Sequence, residues 1–288
     1  STLIGMSESV YLNGDWCAPE EALINVSDRG FLFADAVYEA SPAYRGCFLR
    51  LDLHLERLSR GLAALQIDAD TGALEGLHHE ILARNGLDQA SWAMVYAQIS
   101  RGVARRSHAF PEEPVPPTVY LFARRLERPD SDRWQAGYTA ITHPDLRWSR
   151  ADLKTTMLLP NVLAQQAAVA AGADDVILVR DGWALEGSHA NLFIVRNSEI
   201  ITAPLDHQVL PGITRTIALE LCSDLGITVR EAPVQMATLS QAEEVFLSGT
   251  TTEIRPLVAI DGQPVGDGLP GRTTRRLYHA FQTLTDAL

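Results

Sequence analysis

Lysine is almost missing from this 288-residue chain. Among its 24 basic residues one is lysine, Lys154, and all the others are arginine. A guanidinium stays protonated, whereas an ε-amine can lose its proton and attack a carbonyl, so chemistry of that kind has a single address here. An arginine bias that left one lysine by chance is the alternative on composition alone. Cysteine is scarce as well. Cys17, Cys47 and Cys222 are odd in number, widely spaced and without metal-ligand spacing, which argues against a disulfide framework and for a reducing compartment. No apolar run reaches the ~18 residues that cross a bilayer. The first ten residues lack a basic stretch followed by an apolar core, so no signal peptide is read and a cytoplasmic protein is expected. Positive charge is short overall: 24 basic against 36 acidic residues leave −12, which argues against nucleic acid and anionic membrane as partners. Anionic small molecules stay open, because local arginines can outweigh a global charge. With 46% hydrophobic and 21% charged residues the composition is that of an ordered globular protein, and the length suits two domains.

The first half alternates strands and helices. Val10–Leu12 and Ala22–Val26 read as short strands with a turn at Gly14-Asp15 between them. Val37–Tyr44 and Cys47–Arg50 read as a hairpin about Arg45-Gly46. Leu51, Leu55, Leu58, Leu62 and Leu65 recur at helical spacing, and Leu74, Leu77, Ile81 and Leu82 mark a second helix ended by Asn85-Gly86. Two β-rich segments, Ala93–Arg101 and Thr118–Ala123, flank a loop that four prolines keep irregular. Residues 124–133 are charged and carry Pro129, and the domain boundary is placed there, between residues 1–123 and 134–288. Beyond it, Tyr138–Thr142, Val176–Arg180, Leu192–Val195, Glu199–Thr202, Val245–Leu247 and Leu257–Ile260 read as strands. Asn161–Ala171, Ile213–Leu225 and Arg272–Leu284 read as helices. The expected class is α+β in two halves.

Lys154 lies between Leu153 and the apolar run from Met157, which would strip its amine of water. Arg147 and Arg150 would lower its pKa further by like-charge repulsion. Glu186 follows the turn Asp181-Gly182, where a carboxylate could meet a cofactor's ring nitrogen. Taken alone it reads more readily as a solvated strand-end glutamate. Gly212–Arg215 opens a helix, a place where free N–H groups and the dipole suit an anion, and Ser248–Thr252 is a hydroxyl-rich loop after a strand; each reads equally as a structural cap. His54 and Arg57 share a helix face, a spacing that suits an anion better than a metal. Arg106 and His108, two apart on an extended segment, point the same way and could grip one carboxylate, unless the run Arg101–His108 is a solvated basic loop. The histidines show no metal-ligand spacing, no metal is expected, and no P-loop or dinucleotide fingerprint is present.

Taken in order, Asp28–Phe31, Asp35–Glu39, His54–Leu58, Lys154, Glu186–Ser188 with Asn191–Phe193, Gly212–Arg215 and Thr250–Ile254 resemble the fold-type IV pyridoxal-phosphate enzymes. The resemblance runs from about Tyr11 to about Phe281. It implies a smaller N-terminal α/β domain and a larger C-terminal pseudo-barrel, with pyridoxal 5'-phosphate between them, in a homodimer or larger assembly. It also implies that Lys154 is the Schiff-base lysine and proton carrier, that Glu186 pairs with the pyridine nitrogen, that Arg57, Ile213, Thr214 and Thr250 bind the phosphate, and that Leu210 packs near the ring. Arg106-Ser107-His108 followed by Phe110-Pro111-Glu112 is similar to the D-amino acid aminotransferase subgroup, in which the Arg and His, with the residue at Tyr38, bind the substrate α-carboxylate across the dimer interface. The chain departs from that subgroup at His189-Ala190 and at Ala40-Ser41-Pro42. The implied reaction exchanges an amino group between a D-amino acid, D-alanine foremost, and a 2-oxo acid such as 2-oxoglutarate. An aminodeoxychorismate-type lyase, an L-branched-chain aminotransferase and a non-catalytic cofactor-binding protein are the alternatives.

Overall fold

A computed structural model describes residues 8–288. Most of the opening stretch read above for a leader therefore lies outside the described residues. The chain divides into two compact units. One takes the described residues up to Arg128, then Leu153–Met157 and Leu288; the other takes Pro129–Asp152 and Leu158–Ala287. The division is not contiguous, because the Lys154 segment clusters with the N-terminal unit.

The first unit is an antiparallel sheet of β1 (Val10–Leu12), β2 (Asp15–Cys17), β3 (Ala36–Tyr44), β4 (Cys47–Phe48), β5 (Ala93–Ser100) and β6 (Thr118–Arg125), in the order β2-β1-β6-β5-β3-β4. Helices α1 (Arg29–Phe33), α2 (Leu51–Ala64) and α3 (Leu74–Arg84) complete it. Side chains alternate across a strand. Val37, Glu39 and Ala43 therefore share one face of β3, and Leu58, Leu62, Ile81 and Leu82 join Val37 and Ala43 in a buried core. Gly61 lets α2 approach closely, since a Cβ there would stand 3.0 Å from Val37. The other face carries Tyr38, Tyr96 and Phe122, stacked at centroid distances of 5.3 and 4.9 Å. One expectation fails here. Ala22–Val26 forms no strand, and β1 pairs instead with Asp15–Cys17 through a turn at Asn13-Gly14. Leu23 and Val26 are 80% and 74% exposed, so their apolar pattern has no sheet to face.

The second unit comprises α4 (Ser131–Ala136), β7 (Tyr138–Pro144), α5 (Leu159–Ala170), β8 (Asp175–Arg180), β9 (Trp183–Gly187), β10 (Asn191–Arg196), β11 (Glu199–Thr202), α6 (Ile213–Asp224), β12 (Val229–Glu231), β13 (Val234–Gln235), α7 (Met236–Leu239), β14 (Glu244–Gly249), β15 (Glu253–Ile260), β16 (Gln263–Pro264) and α8 (Arg272–Asp286). Its sheet runs β12-β11-β10-β14-β15-β7-β8-β9-β13, and β9 pairs with β10 as well, so six strands close on themselves as a barrel. The hairpin turn Asp181-Gly182 has both residues at positive φ, 51° and 82°, which matches the right-handed twist of β8 and β9. The α+β reading holds, and no helix among the described residues is long and apolar enough to cross a membrane.

Asp28 ties the first unit together. It caps α1 by accepting from Gly30 N at 2.7 Å, and it accepts from Ser100 Oγ at 2.8 Å and Thr118 Oγ1 at 2.6 Å, joining α1 to β5 and β6. Asp28→Ala removes the acceptor of one buried and two part-buried donors and is expected to cost about 1–3 kcal/mol of stability. Asp28→Asn, which keeps an acceptor, should cost less. Urea unfolding of the two variants checks the order.

Candidate active site

Lys154 owes its place to backbone pairing. Tyr38 N donates to Lys154 O at 3.0 Å, Thr156 N donates to Ala36 O at 3.1 Å, and Val37 and Thr155 form an antiparallel bridge. Residues 154–156 thus extend the sheet along an edge of β3, and the Lys154 amine stands 4.2 Å from the centre of the Tyr38 ring. Two expectations about its surroundings change. Met157 is exposed rather than packed. Arg147 and Arg150 are paired with carboxylates, Arg147 with Asp145 and Glu186 and Arg150 with Asp152, so their charge is spent there.

On the helix side of β3, Glu39 is fully buried. It accepts from Arg57 Nε at 2.6 Å, Arg57 Nη2 at 2.8 Å and His54 Nδ1 at 2.8 Å. The anion that the His54/Arg57 spacing pointed to is, in part, this internal carboxylate. Burial works to raise the Glu39 carboxyl, but the charge and hydrogen bonds of Arg57, with the bond from His54, hold it far below the ordinary carboxylate range. Burial pushes His54 down, which suits a neutral ring donating its Nδ1–H to an ionised Glu39.

In the second unit Glu186, on β9, is 4% exposed. Arg147 donates to it through Nη1, Asn191 Nδ2 donates at 2.9 Å and Leu210 N at 3.2 Å. Asn191 Nδ2 also donates to Leu210 O at 2.9 Å, and a Cβ on Gly212 would meet Asn191 Oδ1 at 2.0 Å. Asn191, at the start of β10, therefore gathers Glu186, Leu210 and the start of α6, which carries Ile213 and Thr214. Burial pushes the Glu186 carboxyl up to about 7 against the pull of Arg147, which is shared with Asp145 at 2.9 Å. The same arginine, by hydrogen bond and charge, keeps Asp145 below its usual value although burial opposes it.

The α6 start and the turn at Thr250 suit a phosphate. Gly212 gives α6 no side-chain cap. Ser248 Oγ and Thr252 Oγ1 are buried without a hydrogen-bond partner, and Gly249 leaves a notch in which a Cβ would stand 2.5 Å from Thr252 Oγ1. Unsatisfied buried hydroxyls beside an uncapped helix start are a donor set for an anion. His189 is exposed and meets Ser188 through Oγ···Nδ1 at 2.8 Å.

The basic run 101–108 separates into two parts. Arg101 is buried and pairs with Asp35 at 2.7 Å, whereas Arg106 and His108 are exposed and meet at Phe33. Sequence reasoning missed Glu39, Arg147, Asn191 and Phe33 as site-building residues. A carboxylate two residues before Arg147 and a motif already containing Glu39 and Asn191 were the available signals; Phe33 offered none. Among the described residues no group of three or more His, Cys, Asp or Glu is placed to hold a metal ion.

The raised Glu186 carboxyl gives a pH test. A carboxyl that ionises less readily in the fold than in the unfolded chain contributes stability that is present below pH 4.5 and lost as pH rises through about 7. Glu186→Gln cannot ionise. Without added cofactor, its unfolding free energy should gain on the parent's across that window. A flat difference would mean that Arg147 cancels the effect of burial.

The amino-transferase class IV family model matches residues 36–260. The D-alanine aminotransferase of Staphylococcus aureus is 34% identical over 277 residues, covering 96% of this chain and 97% of that protein. The D-alanine aminotransferase of Bacillus licheniformis is 36% identical over 274 residues, covering 95% of each. Among solved structures, a T.th. branched-chain amino acid aminotransferase with pyridoxamine 5'-phosphate superposes with a TM-score of 0.87 at 27% identity, covering 98% of this chain and 95% of that one. The Escherichia coli branched-chain amino acid aminotransferase superposes with a TM-score of 0.89 at 25% identity, covering 97% and 95%. The chain belongs to the class IV aminotransferases, enzymes of the fold-type IV architecture that work with pyridoxal phosphate.

Proposed function

We propose that this aminotransferase moves the amino group of a D-amino acid, D-alanine foremost, to a 2-oxo acid such as 2-oxoglutarate. The convergence of Arg106 and His108 on one ring carries the reading, because it supplies two carboxylate donors side by side. The D-alanine aminotransferases at 34–36% identity over nearly the whole chain support it.

Pyridoxal phosphate supplies an aldehyde for the amine and a ring that absorbs the charge left when Cα loses its proton. The chain's residues do the rest. Lys154 Nζ would hold the aldehyde and, as a neutral amine, would be the base that carries the Cα proton. Glu186, whose carboxyl burial pushes up to about 7, would pair with the ring nitrogen as its counter-charge, and Arg147, Asn191 and Leu210 N fix both of its oxygens. Arg57, oriented by Glu39, and Ile213, Thr214 and Thr250 would hold the phosphate, and Leu210 would lie near the ring. Tyr38, Arg106 and His108 take the α-carboxylate and so select the hand of the substrate. The protein works as a homodimer; Leu23, Val26 and Phe31, 80%, 74% and 66% exposed, leave apolar surface on one chain for a second copy to cover.

The branched-chain reading is favoured by the two structural neighbours, both at lower identity than the D-alanine enzymes. An absorbance scan separates the two. The yellow band of the holoenzyme should bleach with D-alanine and persist with L-alanine and L-leucine. Bleaching by L-leucine alone would move the chain to the branched-chain reaction. Lys154→Arg keeps the charge but not the removable proton, and its turnover should fall by at least about 10²–10⁴-fold.

A further inference from the structure

Arg106, Ser107 and His108 belong to an exposed, irregular loop after β5, and such a loop would ordinarily leave two long side chains free to wander. Here the loop is held at its middle residue. Arg29 Nη1 donates to Ser107 O at 2.7 Å and to Ala109 O at 3.4 Å. Arg29 is itself 3% exposed, with Nε on Asp35 Oδ2 at 2.8 Å. Asp35 is gripped again by Arg101, through Nε at 2.7 Å and Nη2 at 3.0 Å, and Phe110 lies 3.7 Å from the Arg101 guanidinium. The carbonyl between the two donors is therefore tied to a buried ion-pair network, and the loop is closed over that network by an aromatic ring.

The flanking side chains then meet one object. The Arg106 guanidinium carbon stands 5.2 Å from the centroid of Phe33, and the His108 ring stands 5.7 Å from it at an interplanar angle of 56°. The Arg29 guanidinium lies 4.8 Å from the same ring. A guanidinium set against an aromatic face keeps its N–H groups available to an acceptor, and a phenyl ring has no polar atom to compete for them.

We infer that Phe33 is the template on which Arg106 and His108 are arranged as one carboxylate clamp, and so a positioning residue for the substrate's α-carboxylate. The inference rests on the reading of Arg106 and His108 given above. Phe33 touches no reacting atom. Its effect is to pre-order two donors, which lowers the ordering cost of binding and leaves the chemical step alone. Because amino donor and oxo acid acceptor both carry that carboxylate, both should depend on Phe33 alike.

The test is steady-state kinetics of the holoenzyme with D-alanine and 2-oxoglutarate, with propionate as a competitive probe of the carboxylate site. In Phe33→Ala the KM for each substrate and the inhibition constant for propionate should rise about tenfold, while kcat stays within about threefold. The absorbance of the bound cofactor and the melting temperature report on folding. Phe33→Leu, which keeps apolar bulk, should fall between parent and Phe33→Ala, and it carries the test if the alanine variant does not fold. A fall in kcat with KM unmoved, a rise for one substrate alone, or unchanged propionate inhibition overturns the proposal. Arg106→Leu separates this inference from the reading beneath it. If Arg106→Leu raises KM and the Phe33 variants do not, the template role falls alone. If Arg106→Leu leaves KM and propionate inhibition unmoved, the carboxylate role of the clamp falls, and the template role with it.

Discussion

The arrangement of the first unit depends on one edge of β3 being covered by backbone from much later in the chain. Tyr38 and Thr156 supply amide donors, Lys154 and Ala36 supply carbonyls, and the position of the sole lysine follows from these bonds. A side chain placed this way needs no partner of its own to hold it, which leaves the amine available for chemistry while its backbone is fixed. β3 then serves three directions: Tyr38 on the open face, Glu39 toward α2, and the Lys154 segment along the edge.

Two buried glutamates show how partners, rather than burial, decide protonation. Glu39 and Glu186 are both sealed from solvent, and burial raises both. Glu39 accepts from two nitrogens of Arg57 and has a further bond from His54, and it is held ionised. Glu186 shares Arg147 with Asp145 and is left near 7. One carboxylate is thereby a permanent anion that orients a cation, and the other titrates near neutral pH. The difference lies in how the arginines are divided, not in the glutamates themselves.

Much of the scaffold was legible because its signals are local. The leucine spacing of α2, the Asn85-Gly86 stop after α3 and the Asp181-Gly182 turn depend only on neighbours in sequence. Lys154 stood out because a lone amine among guanidinia has a chemical meaning before any fold is known. What escaped needed knowledge of who faces whom. Ala22–Val26 has an apolar pattern but no sheet to join. Helix α1 has five residues, too few to show a period. Arg147 read as a neighbour of Lys154 because seven residues separate them in sequence, yet its partners are Asp145 and Glu186. Arg101 and Arg106 looked like one basic cluster, and only their partners divide them, a buried carboxylate for one and an aromatic ring for the other.

The non-contiguous division of the chain bears on how it must be made. When the first 128 residues have left the ribosome, β3 already has β5 on one side, but the stretch of edge at Ala36–Tyr38 has nothing to bond to until residues 153–157 are synthesised. In the interval the nascent chain carries an open strand edge, the kind of surface on which one polypeptide recruits another. The segment that carries the sole lysine is also the one that closes this edge, so the edge stays open until that residue has been made.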